Sequence, residues 1–163
     1  MEPIEIEREE VLERIYSFRA EVWQHDGVSP DLFPGGRWND EHDNHAIQWA
    51  IFRGEEIVAA ARICTHFTVS QLPDGNLFSS TETNLLVASF NRLVVHPCSR
   101  GLGLARSLDD VRIERAKRLG CSSVFLTTSS DARMAALRRR GFSVIHHCMH
   151  PLFRSSVAMQ LAL

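Results

Sequence analysis

The sequence predicts a single-domain α/β protein spanning residues 1–163. Its core is a mixed, mostly antiparallel central sheet of about seven strands flanked by about four helices. Three observations lead there. Short apolar runs with period-two alternation recur along the chain, which is how strands read. Two of them, 45–52 and 57–67, are separated only by the turn Gly54-Glu55-Glu56, which makes a hairpin. Between 91 and 127 come a strand, a glycine-rich turn, a long helix and another strand, the order of a right-handed parallel crossover.

Taken in order, Pro3 to Glu7 alternates Ile4 and Ile6 with acidic residues and reads as a first strand. Glu9 to Gln24 is a helix. Val11, Leu12, Ile15, Tyr16, Phe18, Val22 and Trp23 give it an apolar stripe, Glu9 and Glu10 suit its N-terminal dipole, and Gly27 stops it. Val28 to Asn44 reads as loop, with Pro30, Pro34, Gly35 and Gly36 ahead of a polar run; Phe33 and Trp38 stand in it as exposed apolar residues that would mark a homodimer face or a pocket lid. In the second hairpin strand Val58, Ala60, Arg62 and Cys64 share one face, and Ile57, Ala59, Ala61 and Ile63 the other. Thr68 to Thr83, broken at Pro73-Asp74-Gly75-Asn76, reads as loop with room for one short helix. Leu85 to Val95 is a strand with Asn91, Leu93 and Val95 on one face. Leu104 to Leu119 carries no Gly or Pro and ends at Gly120, a helix; Ser123 to Thr127 is a short buried strand. Ser129-Ser130-Asp131 offers N-cap chemistry for a helix from Ala132 to Arg140, closed by Gly141. Phe142 to His147 and Ser156 to Leu163 are the closing strands.

The totals exclude several classes. Hydrophobic residues make up 44% and charged residues 23%, ordinary for a soluble globular chain. A net charge of −2 gives no global electrostatic case for nucleic acid. No apolar run approaches the ~20 residues of a membrane span. The opening MEPIEIEREE lacks the apolar core of a secretory signal. Four scattered cysteines, Cys64, Cys98, Cys121 and Cys148, read as free thiols of a cytoplasmic protein.

Chemistry concentrates in Arg100-Gly101-Leu102-Gly103-Leu104-Ala105-Arg106, between the strand ending Leu93-Val94-Val95-His96-Pro97 and the following helix. A glycine turn at a helix N-terminus aims backbone N–H groups outward, and an anion binds well there. Glycine at 101 and 103 would let a ligand approach the backbone, and Arg100 would add charge. The competing reading is a turn that merely lets strand and helix pack. A P-loop is excluded because no Lys follows the glycines, and Arg106 breaks a G-x-G-x-x-G fingerprint.

The run V-H-P, then R-x-x-G-x-A at Arg100 to Ala105, then Ala116 and Gly120, resembles the acetyl-CoA-binding motif of the GNAT N-acetyltransferases. Ser123 to Thr127 is similar to that family's fifth strand, and Ala135 to Phe142 to its helix ending in Gly-Phe. The resemblance implies the GNAT fold, an acyl-CoA donor held with its pyrophosphate on Arg100 to Arg106, and a pantetheine arm paired with the backbone of Leu93 to Val95. It implies transfer of an acetyl group from acetyl-CoA to a small-molecule amine by direct attack, with no metal. Phe18 to Trp23, Asp40 to Asp43 and Ile57 to Arg62 are similar to autoinducer (acyl-homoserine lactone) synthases of the same fold. That alternative implies a longer acyl donor.

The chain departs from the family at two catalytic positions. Asn91 stands where a glutamate base is common; a neutral amide can only hydrogen-bond substrate or water. Leu137 stands where a tyrosine protonates the leaving thiolate, and the one tyrosine is Tyr16. These absences suit a third reading, a non-catalytic acyl-CoA-binding module. Substitutes for the missing groups are Ser130 and Asp131 near the expected acyl arm, His96 as base, and Glu21, Asp43 and Glu82 as amine binders. Cys98 is a nucleophile only if transfer is covalent. His146, Cys148 and His150 alternate and would share a strand face as a zinc site, but a fourth ligand is missing. Arg138-Arg139-Arg140 completes a helix dipole or reaches the 3′-phosphate of CoA.

Overall fold

The computed structural model describes residues 1–73, 75–78, 85–150 and 154–163, without the side chains of 150 and 154. The strands are β1 (Ile4–Ile6), β2 (Ile47–Arg53), β3 (Glu56–His66), β4 (Val87–Val95), β5 (Ser123–Thr128), β6 (Ser143–His150) and β7 (Arg154–Ala162). The α-helices are α1 (Glu9–His25), α2 (Leu104–Arg118) and α3 (Asp131–Arg138), with short 3-10 turns between elements. One seven-stranded sheet runs in the order β1-β2-β3-β4-β5-β7-β6. β1–β2, β2–β3, β5–β7 and β6–β7 are antiparallel, and β4–β5 is parallel across the α2 crossover. This is the predicted mixed sheet. β6 and β7 extend further toward their connection than the sequence suggests, and their pairing carries on to His150↔Arg154.

Two compact units are built on this sheet, 1–64 with 92–112, and 65–91 with 113–163. In the first, the helical spacing of Ile15, Phe18 and Val22 brings one face of α1 onto Ala50, Ile57, Ala60 and Val94. β3 is buried without a break from Ile57 to Cys64, and Ala59, Ala60 and Ala61 are fully covered, so the strand is packed on both faces. Gly27 ends α1 with φ 90 while Val28 N–H reaches back to Trp23 O at 3.0 Å.

Phe33 and Trp38 correct the sequence reading: they are 3% and 9% exposed. They pack with Ala20, and the Trp23 and Trp38 rings meet edge to face at 4.8 Å. The 28–44 segment is folded back by three 3-10 turns, which bury apolar side chains that its Gly and Pro content suggested were exposed.

The second unit packs Val69, Leu72 and Phe78 on Val87, Phe125 and Ala158, with the Phe78 and Phe125 rings 5.4 Å apart. Val69 to Gln71 and Gly75 to Phe78 are 3-10 turns, where the sequence allowed one short helix. Gly75 is required there: a Cβ would meet Ser70 O at 2.6 Å. Leu137 is fully buried, and Phe90 faces Phe142 at 6.3 Å.

A buried charge network ties the first unit together. Arg19 Nη1 meets Asp43 Oδ1 at 2.9 Å and its Nη2 donates to Gln48 Oε1 at 2.5 Å. Gln48 Nε2 donates to Asp43 Oδ1 at 2.7 Å. Arg62 Nη1 lies 2.6 Å from Asp40 Oδ1 and 2.8 Å from Asp43 Oδ2. Arg92 closes the network onto Asp40 and stacks 3.9 Å above the Trp38 ring. Asp40 and Asp43 also form a reciprocal capping box on the turn Glu41–Asn44, so the loop backbone and the ion pairs fix each other. Burial alone would raise both carboxyls; the guanidiniums of Arg62 and Arg92 around Asp40, and of Arg19 and Arg62 around Asp43, hold them well below the usual carboxylate range instead.

Replacing Asp43 by Asn leaves Arg19 and Arg62 short of a buried anion and is expected to lower the unfolding free energy by about 3 kcal/mol at pH 7. The Asp43 carboxyl is depressed in the folded state. Its contribution is therefore complete above the unfolded value of about 3.9 and is lost as pH falls through the folded value. Urea unfolding at neutral pH and below pH 3.9 checks this: the gap between wild type and Asp43→Asn narrows in acid. A gap that stays constant with pH refutes the assignment.

Candidate functional site

The first unit carries the glycine loop. β4 ends at Val95, and His96 N–H donates to Val58 O at 2.9 Å. A 3-10 turn, Pro97–Ser99, follows; His96 Nδ1 accepts from Cys98 N–H at 3.3 Å and the Ser99 side chain is buried. Gly101 and Gly103 both take left-handed backbone, φ 81 and φ 79. A Cβ on either would meet nothing within 4 Å, so within the protein backbone conformation alone demands glycine there. The space in front of the turn is open. Ser107 N–H bonds to Gly103 O at 3.1 Å and begins the ladder of α2, so the N–H groups of Leu104 and Ala105 lie in a first helical turn, which has no i−4 carbonyls to meet.

The side chains around this turn have separate jobs. Leu104 is 4% exposed and anchors the helix; Leu102 is exposed. Arg106 stands off Asp110 at 4.0 Å on the surface. Arg100 is turned away from the helix end: Nη2 reaches Asp26 Oδ1 at 2.9 Å and Oδ2 at 2.6 Å, and Nε donates to Val95 O at 3.2 Å. The expected charge donor thus ties the loop to the chain just past α1. Val94 packs into the α1 cluster, whereas Leu93 and Val95 are half-buried. Arg112, fully buried, fixes α2 by donating to Arg62 O at 3.1 Å and pairing with Asp109 at 2.7 Å. Arg92, two residues before Val94, has φ 54 in mid-strand.

The second unit holds the predicted catalytic positions. Asn91 is half-buried on β4. Ser130 is the N-cap of α3, its Oγ accepting from Arg133 N–H at 3.2 Å, and Asp131 is exposed in the first turn of that helix, where a negative charge suits the dipole. These geometries give both residues a helix-starting job. The parallel ladder of β4 with β5 has the rungs Val87↔Ser123, Ala88↔Val124 and Ser89↔Phe125, while β5 continues against β7 through Thr128↔Val157. One close polar pair was missed from sequence: His66 Nε2 lies 3.0 Å from Ser89 Oγ, with His66 5% and Ser89 2% exposed. The available signal was a histidine ending a mostly apolar strand.

The remaining candidates separate clearly. Glu21 and His96 line one cleft of about 530 Å³ with Glu13, Arg14, Ser17 and Glu56. Asp43 is buried among arginines, which removes it as an exposed amine binder. Tyr16 is buried against Arg19, 5.4 Å from ring to guanidinium. Burial pushes the Cys64 thiol up to about 11 and so keeps it protonated; Cys98 is exposed. Cys148 packs beside the second unit's core cluster, and His146 pairs with Ala158. Arg138 lies in the last turn of α3, and Gly141, φ 92, follows the helix end. Glu82 and the side chain of His150 lie outside the described residues.

Residues 9–142 match the family described as "Acetyltransferase (GNAT) family". No curated protein matches the sequence. Among solved structures the chain is similar to FeeM, an N-acyl amino acid synthase from uncultured soil microbes, at 11% identity and TM-score 0.75, over 98% of this chain and 89% of that one. It is similar to BjaI, a CoA-dependent acyl-homoserine lactone synthase, at 17% identity and TM-score 0.75, over 94% and 76%. Arabidopsis thaliana NAA60 with acetyl-CoA bound aligns at 14% identity and TM-score 0.69, over 99% and 97%. At such identities the structures share the fold.

Substituting alanine at Gly101 or Gly103 forces a Cβ into left-handed backbone and is expected to cost about 1 kcal/mol of stability each. Asp26→Asn disturbs only the exposed contacts with Arg100 and His25 and is expected to change stability by less than about 1 kcal/mol. Denaturant midpoints measured side by side check the contrast; equal losses at all three positions overturn it.

Proposed function

The chain belongs to the acetyltransferase (GNAT) family, and from that premise we propose that it is an acyl-CoA-dependent N-acyltransferase, moving an acetyl group from acetyl-CoA to the amine of a small acceptor. The observation that carries this reading is the open glycine turn, Arg100 to Ala105, at the N-terminus of a helix fixed from behind by Leu104 and Arg112. Backbone N–H groups there suit a pyrophosphate, and a diphosphate anion would compete with Asp26 for Arg100. The pantetheine arm would run along Leu93 to Val95, past the point where the β4–β5 ladder ends at Ser89. A strand N–H in that stretch would polarise the thioester oxygen, and holding donor and amine together removes much of the entropic barrier.

A longer acyl donor is the second reading, favoured by the likeness in fold to FeeM and BjaI, whose names describe synthases of acyl amino acids and acyl-homoserine lactones. The rival to both is an acyl-CoA-binding module without catalysis, favoured by Leu137 at the usual acid's position.

Calorimetric titration with CoA, acetyl-CoA and a long-chain acyl-CoA, followed by thiol release over a panel of amines, tests the reading. Binding of acetyl-CoA with thiol release is expected. Gly103→Ala is expected to weaken CoA binding about tenfold, equivalent to about 1.4 kcal/mol. Preference for the long-chain donor selects the second reading; binding without release to any amine selects the module; failure of every CoA species to bind refutes all three.

A further inference from the structure

The buried charge network of the first unit does not balance. Three guanidiniums, of Arg19, Arg62 and Arg92, face the two carboxylates of Asp40 and Asp43. Resting on the acyltransferase reading above, we propose that the surplus charge, on Arg92, binds a carboxylate of the acceptor, which is therefore an amino acid or another amine that carries a carboxylate.

The contacts show which arginine is in surplus. Arg62 already serves both oxygens of Asp40, donating from Nη1 to Oδ1 at 2.6 Å and from Nη2 to Oδ2 at 2.9 Å. Asp43 is held by Arg19 at 2.9 Å and by Arg62 at 2.8 Å. Arg92 adds its Nη2 to Asp40 Oδ2, an oxygen that Arg62 also meets. Arg92 can therefore share its charge with a ligand without leaving either carboxylate alone. The other two arginines are out of reach: their side chains are 0% exposed, against 22% for Arg92. Burial first, and the nearby Arg62 charge, hold the Arg92 guanidinium below its ordinary value despite the bond to Asp40. Positive charge at this point is under-compensated.

The guanidinium is also prepared for a planar anion. It lies 3.9 Å over the Trp38 ring, which keeps it flat. Its ion pair runs through Nη2, and its Nε is buried without a hydrogen-bond partner. A stacked guanidinium offers its edge, and a carboxylate pairs with such an edge by parallel bonds. Arg92 has φ 54 in mid-strand, a strained conformation for a residue with a side chain, and strain of this kind gathers where a ligand is held.

Position and charge select the ligand. Arg92 directly precedes Leu93 to Val95, the stretch assigned above to the donor arm, so a carboxylate on Arg92 sets the acceptor beside it. One surplus positive charge matches one carboxylate. A phosphate would bring more negative charge against Asp40, and the donor's diphosphate has the glycine turn instead. The competing account makes Arg92 only a strut for the 38–44 loop. A strut predicts lost stability with the same effect on every acceptor.

The test uses the full chain with acetyl-CoA and a panel of amino acids, each beside its amide and its decarboxylated amine. The best amino acid is expected to exceed its amide and its amine at least about tenfold in kcat/KM. Arg92→Gln is expected to raise the KM for that amino acid about 30-fold, the size of a lost charge-assisted hydrogen bond. Its kcat, its acetyl-CoA Kd and the KM for the amide are expected to stay near wild type. Arg92→Lys serves if Arg92→Gln does not fold, with a smaller rise confined to the amino acid. With CoA present, the amino acid is expected to change tryptophan fluorescence in wild type and not in Trp38→Phe. Equal use of amide, amine and amino acid by wild type overturns the proposal and leaves the acyltransferase reading intact. So does a KM that rises equally for all three in a folded Arg92 variant, or a loss of acetyl-CoA affinity with the acceptor KM unchanged. Absence of CoA binding or of thiol release in wild type removes the acyltransferase reading and this inference with it.

Discussion

Five buried or half-buried charges, Arg19, Arg62 and Arg92 with Asp40 and Asp43, are the constraint on which the first unit depends. Guanidiniums cannot shed their protons to escape burial, so each must keep its carboxylate. That requirement fixes where four stretches lie: α1 through Arg19, the loop through Asp40 and Asp43, β3 through Arg62, and β4 through Arg92. The loop's capping box and the stacking of Arg92 on Trp38 follow from it. So does the strained φ of Arg92, a left-handed residue in mid-strand whose guanidinium is held by Asp40 and Trp38.

The glycine turn shows a different division of labour. Its backbone is exposed and open, yet everything behind it is fixed. Leu104 is buried, Arg112 bonds to the β3 carbonyl at Arg62, and Arg100 binds Asp26. A cradle made of N–H groups gains from rigidity, because a ligand then pays little ordering entropy. The chain puts its charged side chains into holding the frame and leaves the backbone of the turn open.

Much of this was legible in the sequence. Period-two runs located the strands, and Gly101, Gly103 and Gly120 framed a helix because glycine's backbone freedom is local. The glycine loop was legible for the same reason: a turn followed by a helix start is a contiguous signal. The folding back of Phe33 and Trp38 was not, since a loop's composition says nothing about what its side chains meet. Asp43 was read as an available carboxylate because nothing in its neighbours in sequence announces Arg19 and Arg62.

Sequence by itself determined the element order, the mixed sheet and the place of the glycine cradle, since those follow from local backbone preference and hydrophobic period. Tertiary structure alone decided which charges are spent on holding the fold and which groups stand together. Arg100 turns to Asp26, 74 residues away in the chain, and His66 meets Ser89 across 23. Pairs so far apart have no periodic signature; they exist because the fold brings them within hydrogen-bond range, and for the buried His66–Ser89 pair burial makes leaving either partner alone costly.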